Sequence, residues 1–353
     1  MSLGGGGPIV DAAGALRGFV REAGGCAVVD GGLGTELEAH GADLHDALWS
    51  AKCLASAPHL IRKVHLDYLE AGADVIISAS YQATIEGFQS RGFSRDESEE
   101  LLRRSVHVAQ EARRVFVAEG DVDSSRSRRE RERERPPVLV AASIGSYGAY
   151  RADGSEYSGD YGKSVTKEAL KDFHRRRLQV LAGAGPDLIA FETIPNKLEA
   201  QAYAELLEEN GIRIPAWFSF TSKDGVHAAS GDPITECAAV ADSCQRVAAV
   251  GVNCTSPRLI HGLILSIKKV TSKPIVVYPN SGETYIADTN EWVDSDGATG
   301  TDFVSSVGEW RRAGAALIGG CCRTSPATVR AIARALREAD ADEYDDMPAV
   351  AVL

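Results

Sequence analysis

Short apolar runs recur along the whole chain, each followed by helical periodicity, and this alternation restricts the fold more than any other feature. The runs begin near Ala27, Asp74, Val138, Leu188, Ala216, Val247, Pro274 and Ala315. Helices are predicted over 9–21, 58–71, 94–117, 166–181, 197–209, 233–246, 257–270, 301–313 and 326–339, while 44–57 and 145–162 read as irregular loops. Ser94 with Glu97 three residues on has the spacing of a capping box, which marks one helix start. Eight strands alternating with helices over 353 residues predict an α/β fold, a single-domain (β/α)8 TIM barrel spanning 1–353. In such a barrel the working groups gather at the C-terminal ends of the strands. The polar residues predicted there are Asp30, Ser80, Ser143, Glu192, Thr221, Cys254, Asn280, Cys321 and Cys322.

Composition narrows the partners. A hydrophobic content of 44% supports a large core, and a net charge of −12 with no basic stripe argues against nucleic acid and anionic membrane surfaces. The chain is therefore expected to act on small molecules, as a monomer. Residues 1–8 carry four consecutive glycines and none of the basic-then-apolar pattern of a leader, and no apolar run is long enough to span a bilayer, so a cytoplasmic location is expected. Residues 124–135 are Ser, Arg and Glu with no apolar side chain, which reads as a charged surface insertion without catalytic meaning.

The seven cysteines are unevenly spread. Cys321 and Cys322 follow Gly319-Gly320 at the end of the last apolar run. Neighbouring Cα atoms lie about 3.8 Å apart, below the roughly 4.4–6.8 Å that a disulfide needs, so shared ligation of a metal is the better joint use of this pair. Cys254 arrives in the same setting, after the run that begins at Val247. Taken singly it also reads as a packed thiol, as do Cys26, Cys53, Cys237 and Cys244. Three thiolates from two strand ends leave one tetrahedral position open, the stoichiometry of a catalytic zinc.

The stretches Asp30-Gly31-Gly32-Leu33-Gly34-Thr35-Glu36-Leu37, Phe191-Glu192-Thr193, Gly251-Val252-Asn253-Cys254 and Gly319-Gly320-Cys321-Cys322 together resemble the homocysteine S-methyltransferase family, in its plant-type branch that uses S-methylmethionine. The resemblance runs over about 28–335. It implies Zn2+ held by Cys254, Cys321 and Cys322, with the homocysteine sulfur in the open position and Asp30 and Glu192 on the amino acid part of that substrate. Physical chemistry agrees: a thiol titrates near 8.5 and attacks carbon well as its thiolate, so a metal that removes the proton is the activation required. The donor would be a sulfonium, S-methylmethionine or S-adenosylmethionine, whose leaving group is a neutral thioether, so no general acid and no protein nucleophile is called for.

Four further roles are expectations of position. Gly31, Gly32 and Gly34 would aim backbone N–H groups at the substrate carboxylate, and Asn253 would support the metal site or substrate as a hydrogen-bond donor. Trp49, Tyr81 and Tyr278 would offer aromatic faces to the donor cation. The carboxylates also read as caps of the following helices. Three competing functions stay open: a selenocysteine methyltransferase, a barrel lyase or isomerase binding phosphate at Gly319-Gly320, and a protein that stores or senses zinc.

Overall fold

Strands that are apolar on both faces must be covered on both, and here they pair in parallel and are wrapped by helices. A computed structural model describes residues 11–46, 48–120, 137–282, 284–286, 291–293 and 302–345, so the charged stretch 124–135 lies outside the described residues. The strands are β1 (Ala27–Val28), β2 (Val75–Ile77), β3 (Leu139–Gly145), β4 (Leu188–Ile194), β5 (Ala216–Phe220), β6 (Val247–Asn253), β7 (Ile275–Tyr278) and β8 (Ala315–Ile318). They form one eight-stranded sheet in cyclic order, with β1 beside β8. A bridge between Val29 and Val75 joins β1 to β2 and closes the barrel. Asp74 reinforces the seam, its Oδ2 accepting from the Val28 N–H at 2.8 Å.

The two faces of each strand have separate duties. Inward residues such as Ala141, Ala190, Trp217, Val276 and Leu317 fill the barrel, and outward residues such as Val140, Ile189, Phe218, Val250 and Val277 pack against the helices. The first helix, Ala12–Glu22, lies outside the repeat and packs Leu16, Phe19 and Val20 against the apolar residues of the interior. Burying each such side chain stabilises by roughly 1.5–3 kcal/mol.

The elements differ from the expected ones where loops interrupt them. The long helix runs Arg95–Gly120 and starts at the expected box, with the Ser94 N–H donating to Glu97 Oε2 at 2.7 Å and the Glu97 N–H to Ser94 Oγ at 3.2 Å. Residues 145–162 contain two short helices, Tyr147–Arg151 and Ser155–Ser158, and 44–57 contains a 3-10 turn at Trp49–Lys52 followed by Cys53–Ser56. Gly and Ser disguise the first pair, whose turns are set by contacts with neighbouring elements. After β7 a small antiparallel pair, Thr284–Ile286 with Glu291–Val293, was not foreseen.

Candidate metal centre

The inward column of several strands changes from apolar to polar in its last layer. Ser143 follows Leu139 and Ala141, Glu192 follows Leu188 and Ala190, Ser219 follows Trp217, and Asn253 ends β6. Because inward side chains recur every second residue, these groups meet above the apolar filling. A register slip between Phe191 and Ile194 lets β4 present both Glu192 and Thr193 to the mouth. Ser143 Oγ donates to Glu192 Oε1, and Asn253 Nδ2 donates to Thr193 Oγ1 at 2.8 Å.

Beneath them a hydrogen-bonded chain forms the floor. Trp217 Nε1 donates to the Tyr278 hydroxyl at 3.1 Å, which lies 2.6 Å from Ser219 Oγ, and Ser219 donates to Asn253 Oδ1 at 2.8 Å. The Thr193 N–H reaches the same Asn253 oxygen at 2.7 Å. Asn253 Nδ2 also lies 4.0 Å from Cys321 Sγ, so this amide supports the sulfur cluster with its remaining donor capacity.

The three sulfurs converge as the strand ends predict. Cys254 Sγ lies 2.8 Å from Cys321 Sγ and 3.7 Å from Cys322 Sγ, and the last two are 3.9 Å apart. A tetrahedral ion with metal–sulfur bonds near 2.3 Å sets sulfurs about 3.8 Å apart, so two edges match and the third is contracted. All seven cysteines are free thiols. Hydrogen bonds from Cys254 and then Cys322 hold the Cys321 thiol well below the ordinary range, and the same bond to Cys321 pushes Cys254 up. One sulfur therefore carries negative charge easily, as a metal-binding set requires. Cys254 has φ 47°, Thr193 φ 54° and Arg323 φ 64°. Left-handed backbone at a non-glycine residue costs on the order of 1–3 kcal/mol and marks functional geometry.

Asp30 and Glu192 are both buried at the mouth. Asp30 Oδ2 accepts from the Ile77 N–H at 2.8 Å. Burial, and then the nearby Glu192 charge, hold the Asp30 carboxyl well above the usual range despite that bond. Burial pushes Glu192 up to about 7. Two acids that resist ionisation beside each other form a strong seat for a cation.

The glycines act by closeness. The Gly32 N–H donates to Thr324 Oγ1 at 3.1 Å and to the Thr324 carbonyl at 3.3 Å, so it is engaged within the protein and the expected role toward a substrate carboxylate passes from it. A Cβ on Gly31 would sit 2.8 Å from the Tyr68 ring, and one on Gly34 2.3 Å from the Trp49 indole. The Gly319 and Gly320 amides donate to the Val277 and Asp30 carbonyls, each at 3.0 Å, which removes the phosphate cradle.

The three aromatic candidates separate. Tyr278 is 1% exposed, its ring packed edge-on to Trp217 in the floor, so it offers no open face to a ligand. Trp49 lies across Gly34, beside the turn that carries Asp30. Tyr81 lies against Gly145 at the end of β3, in the field of Cys254 and Glu192. Sequence reading passed over Arg177, whose buried guanidinium donates to the carbonyls of Gly145 at 2.9 Å and of Ser80 and Tyr81 at 2.7 Å. Its neighbours Arg175 and Arg176 pair with Glu209 and Glu99 nearer the surface, so nothing in a run of three arginines singles out the buried one. Tyr157, in the field of Cys254 and Cys322, was hidden in a loop.

A (β/α)8 barrel with three convergent thiols and two buried acids at its C-terminal mouth defines a class, the TIM barrels with a cysteine-based candidate metal site. The profile of the homocysteine S-methyltransferases matches residues 27–336. Homocysteine S-methyltransferase 4 of Zea mays is 90% identical, covering 99% of each chain. The selenocysteine methyltransferase of Astragalus bisulcatus is 60% identical over 90% of this chain and 94% of its own. The metallated form of the Escherichia coli homocysteine methyltransferase MmuM superposes with a TM-score of 0.75 at 42% identity, covering 88% of this chain and 96% of that one. The chain belongs to the homocysteine S-methyltransferase family and is a methyltransferase.

Proposed function

We propose that the protein transfers a methyl group from a sulfonium donor to the thiol of homocysteine, forming methionine, with zinc held by Cys254, Cys321 and Cys322. The observation that carries this reading is the convergence of those sulfurs, within 4.8 Å of one another, at the same mouth as two buried carboxyls. The donor set is all sulfur, which suits zinc and excludes magnesium or calcium. Bound there, zinc would supply the acidity that keeps the substrate thiol deprotonated near neutral pH.

The chain's own residues bind and orient. Asp30 and Glu192 receive the α-ammonium of homocysteine, which draws both carboxyls into their ionised forms. Asn253 holds the Cys321 side of the cluster in place through Thr193 and Ser219. Arg177 fixes the ends of β2 and β3. The leaving thioether is neutral, so no side chain has to donate a proton to it, and rate enhancement rests on positioning. S-methylmethionine is the proposed donor, with S-adenosylmethionine the alternative to be measured beside it.

A selenocysteine acceptor is a second reading, supported by the named relative of that activity, because the same metal would ionise a selenol. A cytoplasmic monomer is proposed as well. Reduced thiols at the site suit a reducing compartment, no helix among the described residues is long and apolar enough to cross a membrane, and their exposed large apolar side chains are scattered singly.

The test is metal analysis with a methionine-forming assay across both donors, and homocysteine in competition with selenocysteine. Wild-type protein is expected to hold about one zinc per chain. Cys254→Ser, Cys321→Ser and Cys322→Ser should each lose metal and turnover, whereas full activity in metal-free protein would overturn the proposal. Asp30→Asn should raise the homocysteine KM at unchanged zinc content.

A further inference from the structure

We infer that Glu156, together with the rings of Tyr81 and Tyr157, is the seat for the cationic methyl donor, built by the loop after β3. The inference rests on the methyl-transfer reading above and assigns its donor side to named residues. The loop folds back on itself at Gly148, where an added Cβ would lie 2.4 Å from the Glu156 nitrogen and 2.8 Å from its Cα. That contact fixes the backbone of Glu156 and Tyr157. Gln82 Nε2 donates to the Ala149 carbonyl at 3.1 Å and ties the Tyr81 segment to the same loop. The Tyr81 ring lies on Gly145, whose Cβ would come within 2.7 Å of two ring carbons, and the Arg177 guanidinium clamps the Tyr81 carbonyl from below.

Glu156 is the unusual member. Its Oε2 is buried and has no hydrogen-bond partner. A buried carboxylate oxygen without a donor is costly, and a bound cation removes that cost. Burial also pushes the Glu156 carboxyl up to about 7, a shift that a cation would reverse. Tyr81 and Tyr157 each feel the charge of both Glu156 and Cys254, so acid, rings and sulfur share one neighbourhood. Asp30 and Glu192 are the acids already assigned to the acceptor's ammonium, and Glu156 is a further acid, on the Tyr81 side. The sulfonium sulfur is the cationic centre that the product lacks, and aromatic faces with a carboxylate recognise it while a neutral thioether gains little. The same preference helps release the product, since transfer of the methyl as CH3+ leaves a thioether without the sulfonium charge.

The experiment measures both Michaelis constants, the zinc content and thermal melting for wild type, Glu156→Gln, Tyr157→Phe and Tyr157→Leu. Glu156→Gln should raise the sulfonium donor KM by about tenfold to hundredfold, with the homocysteine KM and zinc content unchanged. Tyr157→Leu should raise the donor KM and Tyr157→Phe should not, since the ring face matters and the hydroxyl does not. Inhibition by methionine, which keeps the α-ammonium but has a neutral thioether in place of the sulfonium, should be unchanged in Glu156→Gln. An unchanged donor KM, or a shift confined to homocysteine, overturns the inference while wild-type turnover upholds the methyl-transfer reading. If wild type with zinc transfers no methyl group from either sulfonium, that parent reading fails instead. Should Glu156→Gln melt early, Glu156→Ala serves as the second variant, and a wild-type donor KM in a folded Glu156→Ala protein would overturn the inference.

Discussion

Replacing Gly32 by Ala tests whether the Gly31-Gly32 turn acts through its close packing on the cysteine turn. Gly32 has φ −66° and ψ 96°, which alanine adopts freely, and the substitution keeps the N–H. Its Cβ, however, would stand 2.7 Å from the Cys321 carbonyl oxygen and 3.1 Å from that of Thr324. Those carbonyls belong to the turn that carries two of the three sulfurs, and Thr324 holds the turn shut, its Oγ1 donating to the Cys321 carbonyl at 2.7 Å. Reaching the 3.4 Å at which ordinary contact begins requires a shift of about 0.7 Å (3.4 minus 2.7). Metal–ligand distances tolerate about 0.2 Å, so Cys321 and Cys322 cannot absorb that shift unaided. Overpacking of this kind costs about 1–3 kcal/mol, and at about 1.4 kcal/mol per tenfold the zinc affinity should fall by about tenfold to hundredfold. Chelator competition reads the affinity. Wild-type zinc affinity in Gly32→Ala would refute the packing argument.

Three other perturbations have expected outcomes. Asn253→Ala leaves the Thr193 N–H and the Ser219 hydroxyl without their shared acceptor and should lower stability by about 2–4 kcal/mol, read from urea unfolding; a loss under 1 kcal/mol would mean the floor relaxes. Arg177→Met removes the guanidinium donor from the carbonyls of Ser80, Tyr81 and Gly145, leaving those of Ser80 and Gly145 with the Ala83 N–H and the Tyr203 hydroxyl, and should raise the donor KM more than the homocysteine KM, a split that steady-state kinetics measures; equal changes would point to general loosening. His65 is fully buried with neither ring nitrogen partnered, and burial pulls it from 6.5 to about 4. The unfolded chain therefore binds more protons between those values, and stability should fall by about 3 kcal/mol as pH drops from 6.5 to about 4, with no further loss from this group below. His65→Leu should flatten that part of the urea-midpoint profile, and an identical slope would assign the acid sensitivity elsewhere.

Much of the site was readable from spacing. The strand-end position of Asp30, Glu192, Cys254, Cys321 and Cys322 followed from apolar runs that stop at a polar residue, and the Ser94–Glu97 box follows from local chain geometry. Tyr278 misled because a strand-end aromatic looks the same whether its ring faces the ligand or the floor, and the Trp217 and Ser219 partners that set its direction come from another strand. Arg177, Glu156 and Tyr157 lie in a helix and a loop whose sequences look solvated, and their importance arises from carbonyls and sulfurs far away in the chain.

By itself the sequence determined the repeating unit, the barrel and the identity of the sulfur and carboxyl groups at its mouth, because period, glycine position and side-chain chemistry are properties of neighbouring residues. Tertiary structure alone decided which amides are engaged, which carboxyl oxygen is left without a donor and how closely the sulfurs approach. These depend on closure of the sheet between Val29 and Val75, on the slipped register after Phe191 and on left-handed backbone at Thr193, Cys254 and Arg323, which are settled by contacts between strands.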